Sequence, residues 1–147
     1  MTIDVLHVSR FFHPHVGGTE NFIADLASAT RDHGVRSSVL ASRRYADDQG
    51  PPPAVPVHRL PVVGFDAMPV PVGGYGEVAS LVGAADVVHV HDLRFLLEPV
   101  VALAKLRRTP LVLTTHGLIF HTQRLRAAKL AAWHSYYRAL LGRFDVI

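Results

Sequence analysis

Short apolar runs rich in β-branched residues alternate along this chain with segments of helical periodicity. The runs predict buried strands, and they cover residues 3–8, 35–41, 55–60, 86–92 and 110–117. Helical periodicity follows the first strand up to Gly34, a residue suited to a left-handed helix cap, and returns over residues 78–84, 95–107 and 123–141. The final residues, FDVI, begin another predicted strand.

Residues 61–76, PVVGFDAMPVPVGGYG, interrupt this alternation, and their proline and glycine content predicts a long loop. Elsewhere strands alternate with helices, a pattern that favours parallel pairing with helices on both faces of the sheet. The chain is therefore predicted to form a doubly wound α/β domain with a mainly parallel sheet. Ligands of such domains bind beyond the carboxyl ends of the strands, so the candidate residues are those that directly follow a strand.

Composition is that of a globular protein in a reducing compartment. The chain has 147 residues, of which 49% are apolar and 18% charged, and this suits one domain with its own core. It contains no cysteine, which excludes disulfides and cysteine metal sites. No uninterrupted apolar stretch approaches the roughly 20 residues of a membrane-spanning helix. We expect a cytoplasmic protein.

Positive charge is concentrated near the end of the chain. Residues 1–104 hold seven Lys/Arg and eleven Asp/Glu, whereas residues 105–147 hold eight Lys/Arg and one acidic residue. Such a patch indicates an anionic partner such as phosphate, a lipid headgroup or nucleic acid, or else a solvated helix face. Arg124, Arg126 and Lys129 lie in a segment with leucines and aromatic residues, a mixture that suits an anionic bilayer. An apolar stripe that packs on the sheet, with the arginines in solvent, explains the same pattern.

Gly17 and Gly18 directly precede the first helical segment. Glycines can adopt unusual dihedrals and let a ligand reach backbone N–H groups at a helix N-terminus, where an anion is favoured. The alternative is a tight strand-to-helix turn capped by Thr19. The GxGxxG fingerprint is absent and the second strand ends in ASRR, so NAD is disfavoured. The Walker lysine is absent as well.

Histidines lie at the ends of two of the predicted strands. His89 and His91 alternate onto one face of their strand, next to Asp92, but zinc needs a third ligand that the spacing does not supply. We therefore expect no metal and interpret them as polar strand-end residues. His116 follows a core strand at the ligand edge, where an imidazole suits hydrogen bonding or proton transfer. A structural histidine with satisfied hydrogen bonds is the alternative.

Three blocks together carry a family resemblance. FFHPHVGGTENFIADLASATRDHG, DVVHVHD and PLVLTTHG, in this order and spacing, resemble the N-terminal Rossmann-like domain of family 4 retaining glycosyltransferases of the GT-B fold. The resemblance covers essentially residues 1–147 and implies one half of a GT-B fold. It assigns Gly17 and Gly18 to the donor diphosphate and sugar, and His116 to a catalytic contact with the transferred sugar. Its acceptor-side candidates are Thr19, Glu20, His91, Asp92 and Arg94.

The resemblance also implies a reaction and its partners. A hexose passes from a nucleotide-sugar to a lipid or glycan acceptor with retention of configuration, without metal or other cofactor. The donor-binding C-terminal domain is not in this chain, so we expect an enzyme as the full-length protein and an inactive acceptor-side half here. Docking on the inner membrane face is compatible with this, and nucleic acid is not an expected partner. The alternative is a stand-alone, non-catalytic module that binds a phosphorylated metabolite.

Overall fold

The computed structural model describes residues 2–116, 131 and 133–147, and its centre is a parallel sheet of five strands. The strands along the chain are β1 (Ile3–Val8), β2 (Val35–Ser42), β3 (Val57–Leu60), β4 (Val62–Phe65), β5 (Met68–Pro71), β6 (Val87–Val90) and β7 (Leu111–Leu113). The parallel sheet has the order β3-β2-β1-β6-β7, and β4 and β5 pair separately. The chain thus moves from one side of β1 to the other between β3 and β6, and such a reversal opens a crevice beside the central strand.

Three helices connect the strands, namely α1 (Gly18–Arg31), α2 (Tyr75–Ala84) and α3 (Leu97–Arg107). The turn after α1 contains Gly34 with a φ of 80°, the left-handed conformation that its position predicts. Near the end of the chain a π-helical turn, Trp133–Tyr137, leads into a short helix, Arg138–Leu141. Val146 then bridges Val112 in parallel, so the last predicted strand begins beside β7.

Alternating side chains of the strands enter two cores. The larger core joins strand residues to α2 and α3, and includes Leu6, Val8, Val78, Val82, Val88, Val90, Val100 and Ala104. The smaller core lies under α1 and consists of Phe12, Ile23, Val39 and Ala41. His7 lies between Leu6 and Val8 in β1, so it belongs to the face under α1. Helices cover both faces, which confirms the predicted doubly wound α/β arrangement.

The prediction of a loop at residues 61–76 is wrong, because residues 62–71 form an antiparallel hairpin and α2 begins at Tyr75. Val63 pairs with Val70 in this hairpin. Its β5 strand carries two prolines but has a partner on one side only, where a missing N–H is tolerated. The local sequence therefore does not forbid pairing.

Distant side chains hold the tip of this hairpin. Arg44 Nη1 donates to the Asp66 carboxylate at 2.5 Å, and the Tyr45 hydroxyl donates to the same carboxylate. Arg10 Nη1 donates to the Asp66 carbonyl at 2.9 Å. Because these partners lie far from the hairpin in the sequence, the local proline and glycine pattern could not predict it.

The start of α1 also differs from the predicted turn. Gly17, not Thr19, is the N-cap residue, and no side chain caps the helix. Gly17 is extended, with a φ of −157°, and Gly18 does not have a positive φ either. Unusual backbone dihedrals therefore do not explain the two glycines.

Several predictions concern residues outside the described ranges. They are Gly117, most of the helix expected at 123–141, and the basic cluster Arg124, Arg126 and Lys129. Within the described ranges, no helix combines the length and the apolar character needed to cross a membrane.

Candidate functional site

Three segments meet at the carboxyl edge of the sheet: the first turn of α1, the loop after β6 and the residues after β7. The ring of Phe22 in α1 lies 4.8 Å from the ring of His116, centroid to centroid, and 5.9 Å from that of His91. Burial lowers the pKa of His116, and the nearby carboxylates of Glu20 and Asp92 oppose this shift. Residues from three separate sequence blocks therefore share one site.

Gly17 and Gly18 differ in their surroundings. A Cβ atom on Gly17 would collide with the carboxylate of Glu20, which folds back toward the helix start. A Cβ atom on Gly18 would meet no heavy atom of the described protein within 4 Å. Gly18 is exposed at the N-terminus of α1, where backbone N–H groups and the helix dipole favour an anion. The fold itself therefore does not require a glycine at position 18. Close approach of a ligand to the backbone would require one.

The loop after β6 is held by a carboxylate between two guanidinium groups. Asp92 accepts hydrogen bonds from the backbone N–H of Arg94 at 2.6 Å and from Arg94 Nη2 at 3.2 Å. Arg10 Nε lies 3.4 Å from the same carboxylate. Glu20 places a second carboxylate at this edge, with only 7% of the residue exposed. The loop is thus fixed beside a buried acidic group.

A row of imidazoles leads from this edge into the sheet. His116 Nε2 lies 3.1 Å from His91 Nδ1, and His91 Nε2 lies 3.0 Å from His7 Nδ1. His7 Nε2 lies 3.3 Å from Ser37 Oγ. We call Ser37, His7, His91 and His116 the imidazole chain. His7 and His91 are buried and His116 is exposed, so the orientation of the exposed ring is supported from inside the sheet.

His89 lies beside the imidazole chain. It pairs with His7 in the β1–β6 register, and its ring centroid is 4.0 Å from that of His91. One ring nitrogen of each of these three histidines lies within 4.8 Å of those of the other two. The sequence pointed to His89 and His91 but missed His7. The only local sign of a role for His7 is its position, as a polar residue within an apolar strand.

Burial keeps these imidazoles uncharged. Desolvation lowers the pKa of His7 to about 4, with a smaller contribution from His89. The same cause lowers the pKa of His89 to about 4 and that of His91 to about 2, and neighbouring imidazoles add to both shifts. At neutral pH each ring therefore has one N–H donor and one lone pair.

The predicted acceptor residues occupy different environments. Thr19 is half-buried in the first turn of α1, and His91 reaches the edge only through His116. Glu20 and Asp92 both act on His116 electrostatically. Ligand contacts at these positions, at the two glycines and at His116 stay predictions.

Comparison with known proteins gives a consistent result. Residues 17–147 match the family model described as the glycosyl transferase 4-like domain. The chain is 32% identical over 135 residues to a Komagataeibacter xylinus protein named GDP-mannose:cellobiosyl-diphosphopolyprenol alpha-mannosyltransferase. A protein of the same name from Xanthomonas oryzae pv. oryzae (strain PXO99A) is 31% identical over 129 residues. These matches cover 87% and 80% of this chain but 33% and 32% of the relatives, so the chain spans about a third of their length.

A solved structure shares the fold. It is described as a Rossmann-fold NAD(P)-binding family protein from Shigella flexneri, and it superposes with a TM-score of 0.52. The match covers 99% of this chain and 65% of the other at 14% identity. At this identity the likeness concerns the fold alone, and it agrees with the Rossmann-like arrangement.

Proposed function

Because this chain belongs to the glycosyl transferase 4-like family, we propose that residues 1–147 are the acceptor-side half of a retaining glycosyltransferase. The proposed reaction moves a hexose from a nucleotide-sugar to an acceptor hydroxyl, and the nucleoside diphosphate leaves. The relatives named above carry a diphosphopolyprenol-linked acceptor in their names, so a lipid-linked glycan is the acceptor we propose. A C-terminal domain completes the cleft and supplies most contacts to the nucleotide.

The open helix start at Gly18 is the observation that carries this proposal. It lies at the same sheet edge as Glu20, Asp92 and His116, so an anionic group at the helix would place its neighbouring sugar beside polar side chains. Backbone N–H groups stabilise the negative charge that develops on the leaving diphosphate. No metal is required for this step.

His116 and Glu20 suit the sugar hydroxyls. His116 is exposed and supported by Phe22 and His91, so it offers a fixed donor or acceptor. The carboxylate of Glu20 accepts hydrogen bonds and is largely removed from water, which strengthens them. We assign His116 to the transferred sugar, and Thr19, Glu20, Asp92 and Arg94 to the acceptor side. His91 is buried and would act on the acceptor side only through His116.

A lipid-linked acceptor places the reaction at a membrane surface. We propose peripheral binding to the cytoplasmic face through Arg124, Arg126 and Lys129, which lie outside the described residues. Flotation of the protein with anionic and with neutral liposomes tests this. Equal recovery with both lipid compositions rejects electrostatic docking.

A donor and acceptor screen on the full-length protein tests the proposed reaction. GDP-mannose is the first donor, in a panel of nucleotide-sugars, with short-chain diphosphopolyprenol disaccharides and free glycans as acceptors. Mass spectrometry detects the product, and NMR of the new anomeric carbon reports retention or inversion. Binding of phosphorylated metabolites without any transfer would favour a non-catalytic module instead.

A further inference from the structure

Three histidines from two neighbouring strands face one another under α1. His7 lies in β1, His89 in β6, and His91 directly after β6, where its N–H continues the ladder to the Val8 carbonyl at 2.8 Å. Backbone pairing on β1 and β6 therefore fixes the Cα positions of all three. Rigid elements of this kind hold ligating side chains more accurately than loops do.

Each of the three rings is anchored through one nitrogen. A histidine that binds a metal donates its outer N–H to a second group, which fixes the tautomer and turns the lone pair of the other nitrogen toward the ion. The anchors are Ser37 Oγ for His7 Nε2 at 3.3 Å, Thr114 Oγ1 for His89 Nε2 at 2.8 Å, and His116 Nε2 for His91 Nδ1 at 3.1 Å. His7 Nδ1, His89 Nδ1 and His91 Nε2 are the candidate ligand atoms, and the ion would replace the direct contact between His7 Nδ1 and His91 Nε2.

The distances suit a small transition-metal ion. Two nitrogens bound to one tetrahedral zinc at about 2.0–2.1 Å are about 3.3 Å apart. His7 Nδ1 and His91 Nε2 are already 3.0 Å apart. One ring nitrogen of each histidine lies within 4.8 Å of those of the other two. Rotation of the rings must therefore bring the widest pair closer by up to about 1.5 Å.

We propose that His7, His89 and His91 bind one divalent transition-metal ion of the zinc class. Imidazole nitrogen suits zinc, copper and nickel, whereas magnesium and calcium prefer oxygen ligands. This inference departs from the sequence-based expectation that the protein holds no metal.

The sequence did not supply a third ligand, and the structure supplies His7 from the neighbouring strand. Asp92, which follows His91 along the chain, is instead engaged by Arg94 and Arg10. The carboxylates of Glu20 and Asp92 act on the adjacent His116, and they offset part of the ion's positive charge. The ion would join β1 to β6 behind the sheet edge. Through the N–H of His91 it would also fix the tautomer of His116, whose Nε2 then accepts a hydrogen bond.

Cobalt is a suitable probe, because a tetrahedral Co²⁺ ion bound by imidazole nitrogens has visible absorption bands. Purified protein, stripped with a chelator, is titrated with Co²⁺, and Zn²⁺ affinity is then measured by competition with a chromophoric chelator. We expect one equivalent of Co²⁺, displaced by Zn²⁺. His7→Gln, His89→Gln and His91→Gln should each weaken Zn²⁺ binding by more than about 100-fold, and Thr114→Val, which removes only an anchor, by roughly 10–100-fold.

Two controls keep this test decisive. His33 is exposed in the turn after α1, so His33→Gln should leave the Zn²⁺ affinity unchanged. Circular dichroism reports whether each variant folds. If a ligand variant does not fold, the Co²⁺ spectrum of the wild-type protein and the Zn²⁺ affinity of Thr114→Val still test the proposal. A wild-type protein without a stoichiometric Co²⁺ spectrum overturns the proposal. The proposal is also overturned if His33→Gln lowers the Zn²⁺ affinity as much as Thr114→Val does.

Discussion

Gly18 is a residue whose identity the fold does not explain, since a side chain there meets open space. In the full-length enzyme we expect Gly18→Val to lower kcat/KM by roughly 100-fold, because the side chain would displace the donor from the helix start. The free energy of unfolding should change by less than about 0.5 kcal/mol. Steady-state kinetics and denaturant titration measure the two effects.

A matched control exists in α2. Gly76 also lies in the first turn of a helix, has no positive φ and has no heavy atom within 4 Å of a Cβ position. Gly76→Val should therefore keep full activity. Equal activities of the two variants would contradict the assignment of Gly18 to the donor site.

His116 is an exposed ring held by Phe22 and by the imidazole chain. If its hydrogen bond to the transferred sugar strengthens as charge develops, His116→Ala should lower kcat by roughly 100-fold. Turnover at saturating donor and acceptor measures this effect, with His33→Ala as the surface control. An unchanged kcat with a raised KM would make His116 a substrate-positioning residue only.

Burial of the histidines predicts how stability depends on pH. His7 has a pKa of about 4 in the fold and 6.5 when unperturbed, so the unfolded state binds more protons between these values. The free energy of unfolding therefore falls as the pH is lowered from 6.5 to 4, by about 3 kcal/mol from this group alone. Urea titrations at several pH values, with a chelator present, measure the decline. His7→Gln should make the decline less steep, because the share of His7 is lost while those of His89 and His91 remain. An unaltered slope in that variant would contradict the assignment.

For single residues, the sequence predicted which of them lie at the sheet edge, but it did not predict the imidazole chain behind that edge. Gly18 follows a predicted strand, Asp92 and His116 lie at the carboxyl ends of two others, and in a parallel sheet these ends share one edge. The imidazole chain depends on the register that puts His7 opposite His89, and no local pattern contains this information.

The β4–β5 hairpin is an element whose tip is held in part by one carboxylate. We expect Asp66→Ala to accelerate hydrogen exchange in residues 62–71, because the bonds of Arg44 and Tyr45 to this carboxylate are lost and only the bonds from Arg10 and Arg44 to backbone carbonyls remain. Mass-spectrometric hydrogen exchange resolves this segment. Asp25→Ala on the exposed side of α1 should change nothing there, and equal protection in the two variants would show that the hairpin persists without these bonds.

Element types were predictable from the sequence more often than element lengths. The run 110–117 predicted a strand, but β7 covers only Leu111–Leu113, because pairing with β6 extends over Val88–Val90 alone. Strand length thus depends on the partner, which a single apolar run does not specify. The hairpin was missed for a related reason, since its stabilising contacts come from the loops after β1 and β2.

For the whole molecule we expect autonomous folding without catalysis. Five parallel strands with buried cores on both faces are sufficient for a cooperative unit. Transfer, however, needs positive groups and donors around the leaving diphosphate, and we propose that most of these belong to a second domain. Thermal denaturation of the 147-residue chain should show one transition, and assays with nucleotide-sugars and acceptors should show no product. Measured transfer by this chain would contradict the two-domain proposal.

The central position of β1 also affects how the protein emerges during synthesis. His7 contacts Ser37 across 30 residues but His91 across 84, so β1 can pair with β2 long before β6 exists. During that interval one edge of β1 has no partner, and such an edge invites pairing with another nascent chain. In the unfolded chain an imidazole titrates near pH 6.5, so His7 adds a polar and partly charged group to this apolar strand. We therefore expect the histidine that later becomes deeply buried to make intermolecular pairing of this edge less favourable while the chain is still growing.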